Sequence, residues 1–235
     1  GNGGLDFFGE HSGDINVSAH STIHVFGGQG RIAWAQIGNG GAHQALLPGS
    51  LAHGNISVTT DGILHLNAGG GAGAFAQLGH GGLANRANNG VDTDLTSVTA
   101  AGINLDSHAF SGSGSGSYTQ IGNGGHCHDG DLAGDLEITT PGLLWLNGGA
   151  NESAYAQVGH GGSYGDGNRQ GDLKALVGSV HANAGSGLRS YAQIGHGGAA
   201  LGDPGASPGS NEGNIALVAD LGVQLNAGAG DQAYV

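Results

Sequence analysis

One nine-residue motif recurs along the chain at nearly constant distance, and this constrains the fold more than any other feature. It reads AWAQIGNGG from Ala33, AFAQLGHGG from Ala74, SYTQIGNGG from Ser117, AYAQVGHGG from Ala154 and SYAQIGHGG from Ser190. Its glutamine falls at Gln36, Gln77, Gln120, Gln157 and Gln193, a period of about 39 residues. Gly1 to Gly4 match the tail of the motif and Ala233 to Val235 match its head. Residues 1–235 therefore read as a single repetitive segment of about six repeats. The chain begins at Gly1 and contains no Met, so it reads as a piece of a longer protein.

Each repeat holds three short apolar stretches. The first has inward residues two apart: Ile15/Val17, Ile56/Val58, Leu136/Ile138 and Ile215/Leu217. The second repeats this at Ile23/Val25, Leu64/Leu66, Ile103/Leu105, Leu144/Leu146, Val180/Ala182 and Val223/Leu225. The third is the motif, with Ala33, Ala35 and Ile37 on one face and Trp34 and Gln36 on the other. Alternation of period two is the mark of a half-buried strand. Turn signals such as Thr60-Asp61-Gly62 and Pro141-Gly142 separate the stretches, and a polar segment of variable length follows the motif.

Composition narrows the choices. Of 235 residues 53 are Gly, which opposes helical bundles because Gly costs about 1 kcal/mol per helical position. Only 4 are Pro, and the glycines do not fall at every third position, which excludes collagen. No apolar run is long enough for a transmembrane helix. A single Cys excludes a disulfide scaffold. A net charge of −13 argues against nucleic acid, whose phosphates require a basic surface.

The expected fold is all-β: a parallel β-helix of about six coils, with three strands each and one continuous core. The alternative is a six-bladed β-propeller, whose blades require four antiparallel strands joined by hairpins.

Stacked coils place equivalent residues in columns. Trp34, Phe75, Tyr118, Tyr155, Tyr191 and Tyr234 form an aromatic column. The five motif glutamines form a second, expected to pair amide on amide as in cross-β ladders. Asn67, Asn147, Asn183 and Asn226 form a third at a corner, with Phe26 and Asp106 as exceptions. These columns read as staples that hold the register. An outward aromatic column would instead offer a platform for the sugar rings of a glycan.

Histidine, with 13 residues, raises the question of metal. His80, His160 and His196 share a motif position with Asn2, Asn39 and Asn123. Both residue types tolerate positive φ and both hydrogen-bond nearby backbone, so the interchange points to a turn residue rather than to a zinc or copper ligand. His24, His65 and His181 alternate with Asn104, Trp145 and Gln224, which reads as a solvated face. The sharpest cluster is His126, Cys127, His128 and Asp129, all potential ligands but adjacent in sequence. A tetrahedral site normally separates its ligands by two or more residues. An exposed loop, a zinc or copper site completed by a neighbour, and an intermolecular disulfide all remain open for it. Asp129-Gly130-Asp131 and Asp166-Gly167-Asn168 could take Ca²⁺, although the calcium β-roll nonapeptide is absent. No nucleophile elbow or phosphate loop occurs, and near-identical repeats suit a spacer better than an enzyme. No cofactor is expected.

The strands Gly54-Asn55-Ile56-Ser57-Val58 and Gly62 to Gly69, followed by Ala74 to Gly82, carry a family resemblance. Together they resemble the haemagglutinin-type repeat regions of large bacterial exoproteins secreted by the two-partner route, of which filamentous haemagglutinin is the type. The resemblance covers all six repeats. It implies a secreted or surface-attached right-handed β-helix, used as an adhesin stalk or matrix filament. Its expected partner is itself, through continuing coils or through copies stacked with Ile15 and Val17 on Ile215 and Leu217. Host or matrix glycans are a further candidate partner. A glycan-binding or glycan-active β-helix and a metal-loading His-rich fibre are the alternative functions.

Overall fold

The computed structural model describes residues 9–42, 50–84, 87–107, 115–199 and 209–235. Among these the chain is all-β, and every strand pairing is parallel. Propeller blades would require antiparallel hairpin pairs, which do not occur among the described residues.

Each strand pairs with its counterpart in the neighbouring repeat. Ile15–Ala19 lies on Ile56–Thr60, which lies on Leu95–Thr99, with Ile15 opposite Ile56 and Ile56 opposite Thr96. The second stretch stacks in the same way as Ile23–Phe26, Ile63–Asn67 and Gly102–Asp106. In the last three repeats the two stretches fuse into Asp135–Asn147, Leu173–Asn183 and Ile215–Asn226. The register shifts where these long strands turn the corner, at Thr140/Leu143 and Val177/Ser179. The motif forms a separate sheet of Trp34–Ile37, Phe75–Leu78, Tyr118–Ile121, Tyr155–Val158 and Tyr191–Ile194.

The first two stretches alternate as the sequence does, with buried and exposed positions in turn. Ile56, Val58, Leu64, Leu66, Ile103 and Leu105 are buried, and the core runs continuously through the repeats. Burying each such side chain stabilises by about 1.5–3 kcal/mol. Ala35 and Ile37, expected to be buried, are half-buried, because Trp34–Ile37 is the edge strand of its sheet.

Two features depart from a three-stranded repeat. The motif strands Phe75–Leu78, Tyr118–Ile121 and Tyr155–Val158 are buried at all four positions, so both faces are covered. The cover comes from the variable segment, which forms a fourth column of short parallel strands. Glu10–Ser12, Leu51–His53 and Asn88–Asn89 pair in order, single bridges continue through Leu132, and Arg169–Gln170 pairs with Asn211–Glu212. The cross-section thus has a main apolar core and a side lobe. The motif strand forms the wall between them.

The approach of one repeat to the next is closest at the motif glycine. A Cβ on Gly79 would collide with the carbonyl of Gly122, and one on Gly122 with that of Gly159. Backbone lies against backbone here, and only hydrogen fits.

Candidate functional site

The motif strand and the side lobe hold the chemistry-bearing side chains. The aromatic residues point into the lobe, and Phe75, Tyr118, Tyr155 and Tyr191 have no exposed surface. They stack face to face from Trp34 to Tyr234. Ring centroids are 4.8 Å apart for Phe75 and Tyr118, 4.9 Å for Tyr118 and Tyr155, and 4.7 Å for Tyr155 and Tyr191. The end pairs are Trp34 with Phe75 at 5.8 Å and Tyr191 with Tyr234 at 4.9 Å. Stacked pairs contribute about 0.5–1.5 kcal/mol beyond their burial. Burial raises the phenol pKa of Tyr118, Tyr155 and Tyr191 well above the ordinary value. Because the column is buried, a sugar ring has no access to it, which overturns the outward platform.

The glutamines do not pair amide on amide. Four of the five span to the backbone of the following repeat instead. Gln77 Nε2 donates to the carbonyls of Gly122 and Gly124, both at 3.0 Å. Gln120 does the same to Gly159 (2.9 Å) and Gly161 (3.2 Å), and Gln157 to Gly195 and Gly197 (both 3.0 Å). Gln36 reaches Gly79 and Gly81, while Gln193 donates to His196. The amide oxygen accepts from the next tyrosine hydroxyl: Tyr118 on Gln77 at 3.3 Å and Tyr191 on Gln157 at 3.1 Å. The amide adds a donor to these turn carbonyls, and Gly81, Gly161 and Gly197 also accept a backbone N–H, from Gly41, Gly125 and Gly162.

The His/Asn column is likewise not the positive-φ position expected from the interchange. The positive angles belong to the flanking glycines, such as Gly79 (φ 148°) and Gly81 (φ 95°), and not to His80. What the two residue types share is a hydrogen-bonding pattern. His80 Nδ1 accepts from the backbone N–H of Asn39 (3.0 Å), and its Nε2–H donates to Gly54 O (2.8 Å). His160 accepts from Asn123 N (2.9 Å) and donates to Gly134 O (2.7 Å). His196 accepts from His160 N (3.0 Å) and donates to Gly171 O (2.9 Å). Asn123 performs both tasks with an amide: Oδ1 accepts from His80 N (2.8 Å) and Nδ2 donates to Ala133 O (2.8 Å). Asn39 donates to Gly13 O and His53 O (both 2.9 Å). His80, Asn123, His160 and His196 therefore tie their repeats to the preceding ones, and all five members brace the wall against the corner before the first strand. Both imidazole nitrogens are occupied by backbone, which leaves no lone pair for a metal. Burial holds His160 down to about 3, with the neighbouring His196 adding to the effect. His80 and His196 are lowered, also chiefly by burial.

The asparagine corner does form side-chain pairs, with Asn147 donating to Asp106 (3.0 Å) and Asn226 to Asn183 (2.6 Å). The outward histidines show one stacked pair, His24 on His65 at 5.1 Å.

The loop from His126 to Asp129 does not gather its side chains. His126 packs edge-on against Tyr164 (5.4 Å), and burial lowers its pKa to about 4. His128 is buried elsewhere, with Nε2 3.1 Å from Ala87 O and 2.6 Å from Asn89 Nδ2. Burial and then the Arg169 charge lower it to about 3. Cys127 is half-buried at φ 56°, and burial followed by the nearby Asp129 raises its thiol. Asp129 and Asp166 meet through a backbone bridge, and Asp131 Oδ1 accepts from Asn168 N at 2.9 Å. Among the described residues no group of three or more His, Cys, Asp or Glu is placed to hold a metal ion.

One column was missed in the sequence. Asp14, Asn55, Asp135, Asp172 and Asn214 stand at the start of the first strand, each after a glycine. Asn55 N donates to Asp14 Oδ1 (2.8 Å), Asp172 N to Asp135 Oδ1 (2.8 Å) and Asn214 N to Asp172 Oδ1 (2.8 Å). The signal was present as Gly, then Asp or Asn, then Ile or Leu, in Gly13-Asp14-Ile15, Gly54-Asn55-Ile56 and Gly134-Asp135-Leu136.

No protein-family model matches the chain, and neither does any curated protein or solved structure.

Proposed function

We propose that the chain is a stretch of right-handed parallel β-solenoid, and that it serves as the shaft of a bacterial extracellular filament or adhesin. The observation that supports this reading is the recurrence of one inter-repeat bond in four of the five motifs. Gln36, Gln77, Gln120 and Gln157 each donate to the same two glycine carbonyls of the next repeat. A catalytic or ligand site makes one repeat unlike the others, whereas here each repeat does the same mechanical work. Stability in such an array grows with the number of interfaces, which suits a part that works by its length. The resemblance to haemagglutinin-type repeats supports a place outside the bacterial cell. The partner this implies is more of the same fold, continuous or stacked.

Electron microscopy of the native particle, labelled with an antibody to this segment, tests the reading. The expected image is a thin thread at the cell surface, with a rise of about 4.8 Å per coil in its diffraction. A compact, capped particle or a ring of blades would overturn it.

A further inference from the structure

We propose that the His/Asn column is an acid-sensitive seam, in which repeats joined through histidine part on acidification while those joined through asparagine hold. This stands on the hydrogen-bond geometry and is independent of the filament reading.

The protonation state of Nδ1 decides whether a seam holds. In a neutral imidazole protonated at Nε2, Nδ1 is an acceptor, and in imidazolium both nitrogens are donors. His80, His160 and His196 use Nε2–H on the carbonyls of Gly54, Gly134 and Gly171. That bond survives protonation. The bond from the preceding repeat does not, because the N–H groups of Asn39, Asn123 and His160 would then face an N–H. The seam between His80 and Asn123 differs. There His80 N donates to Asn123 Oδ1, an amide oxygen that does not titrate in this range. Repeats two and three are therefore held by an acid-indifferent bond between acid-sensitive neighbours.

The surroundings keep the histidines neutral at pH 7. Asp94 and His53 face His80, while His80 and His196 face His160, whose ring stacks on His196 at 4.9 Å. Asp172 faces His196. Burial outweighs the carboxylates, and all three are lowered from the ordinary 6.5. A folded value below the unfolded one means that the closed seam binds fewer protons. Its stability is complete above pH 6.5 and declines as the pH falls toward the folded value. One titrating imidazole raises the opening equilibrium by about tenfold per pH unit over that interval.

Hydrogen exchange of individual amides on the 235-residue chain, from pH 7 to pH 4 and corrected for intrinsic rates, tests the seam. Protection of the Asn39, Asn123 and His160 amides is expected to fall by up to about tenfold per unit, while that of His80 stays level. His160→Asn should abolish the fall at Asn123, and Asn123→His should create one at His80. Both substitutions place a residue the column already uses, so either one that folds decides the matter. Equal loss at all four amides, or unchanged profiles in the variants, would overturn the proposal.

Discussion

His160 and Asn123 stand at the same position of successive repeats, and the imidazole of the first accepts the backbone N–H of the second at 2.9 Å. Asn123 in turn accepts the N–H of His80 at 2.8 Å through its own side chain. Imidazole and carboxamide are chemically unlike, yet each offers one acceptor and one donor aimed in different directions. The column depends on that pair of functions, which is why the two residues interchange.

His160→Asn should therefore change stability by less than about 1 kcal/mol at pH 7. His160→Leu leaves the Asn123 N–H and the Gly134 carbonyl without partners and should cost about 2–4 kcal/mol. Urea unfolding of the two variants separates these outcomes.

Gln120→Leu should cost about 1–3 kcal/mol, because the Gly159 carbonyl loses its donor in a buried lobe while Gly161 keeps the N–H of Gly125. Gln120→Glu should cost more, since a carboxylate would face carbonyl oxygens without a proton to offer. Denaturant midpoints at pH 7 give the order.

Thr119 occupies a core position held elsewhere by Ala76, Ala156 and Ala192, and its hydroxyl is buried without a partner. Thr119→Val keeps the shape and removes the orphan. It should raise stability by about 1 kcal/mol, read as a higher melting temperature.

The corner before each motif strand holds a left-handed residue, glycine at Gly73 and Gly116 but Ser153 (φ 53°) and Gln232 (φ 58°) elsewhere. Gln232→Gly should stabilise by up to about 1 kcal/mol by relieving that conformation. Gly79→Ala should instead cost about 3 kcal/mol or more, because its Cβ would meet the Gly122 carbonyl. Thermal unfolding of the pair checks both signs.

Global stability should also fall with acid. His126, His128 and His160 are held at about 4, 3 and 3, below the ordinary 6.5. Each folded value is depressed, so the contribution is full above pH 6.5 and is lost as the pH drops toward 3–4. The slope is about 1.4 kcal/mol per unit for each histidine. Urea midpoints measured between pH 7 and pH 4.5 should decline, and a flat profile would contradict the burial of these rings.

Much of this was legible in the sequence. The inward residues of the first two strands follow from alternation, as Ile56/Val58 and Leu64/Leu66 show, and the aromatic column follows from the spacing of the motif. The fourth strand column was not legible. Glu10–Ser12, Leu51–His53 and Asn88–Asn89 are two or three residues long and share no pattern, so a polar loop was the natural reading. That omission also hid the lobe, and with it the burial of Tyr118 and Gln120. Both side chains have polar atoms that suit solvent as well as a satisfied interior. The His/Asn position misled for a local reason: the glycines around it take the unusual φ values, and the histidine does not.

One side chain at each of four successive positions, His80, Asn123, His160 and His196, ties its repeat to the preceding backbone in register. Nitrogen-detected NMR of the histidine rings at pH 7 tests it most directly. His80, His160 and His196 should all be neutral with the proton on Nε2, and the Asn123 amide should show a hydrogen-bond coupling to Nδ1 of His160. A proton on Nδ1, or a charged ring at that pH, would contradict the account.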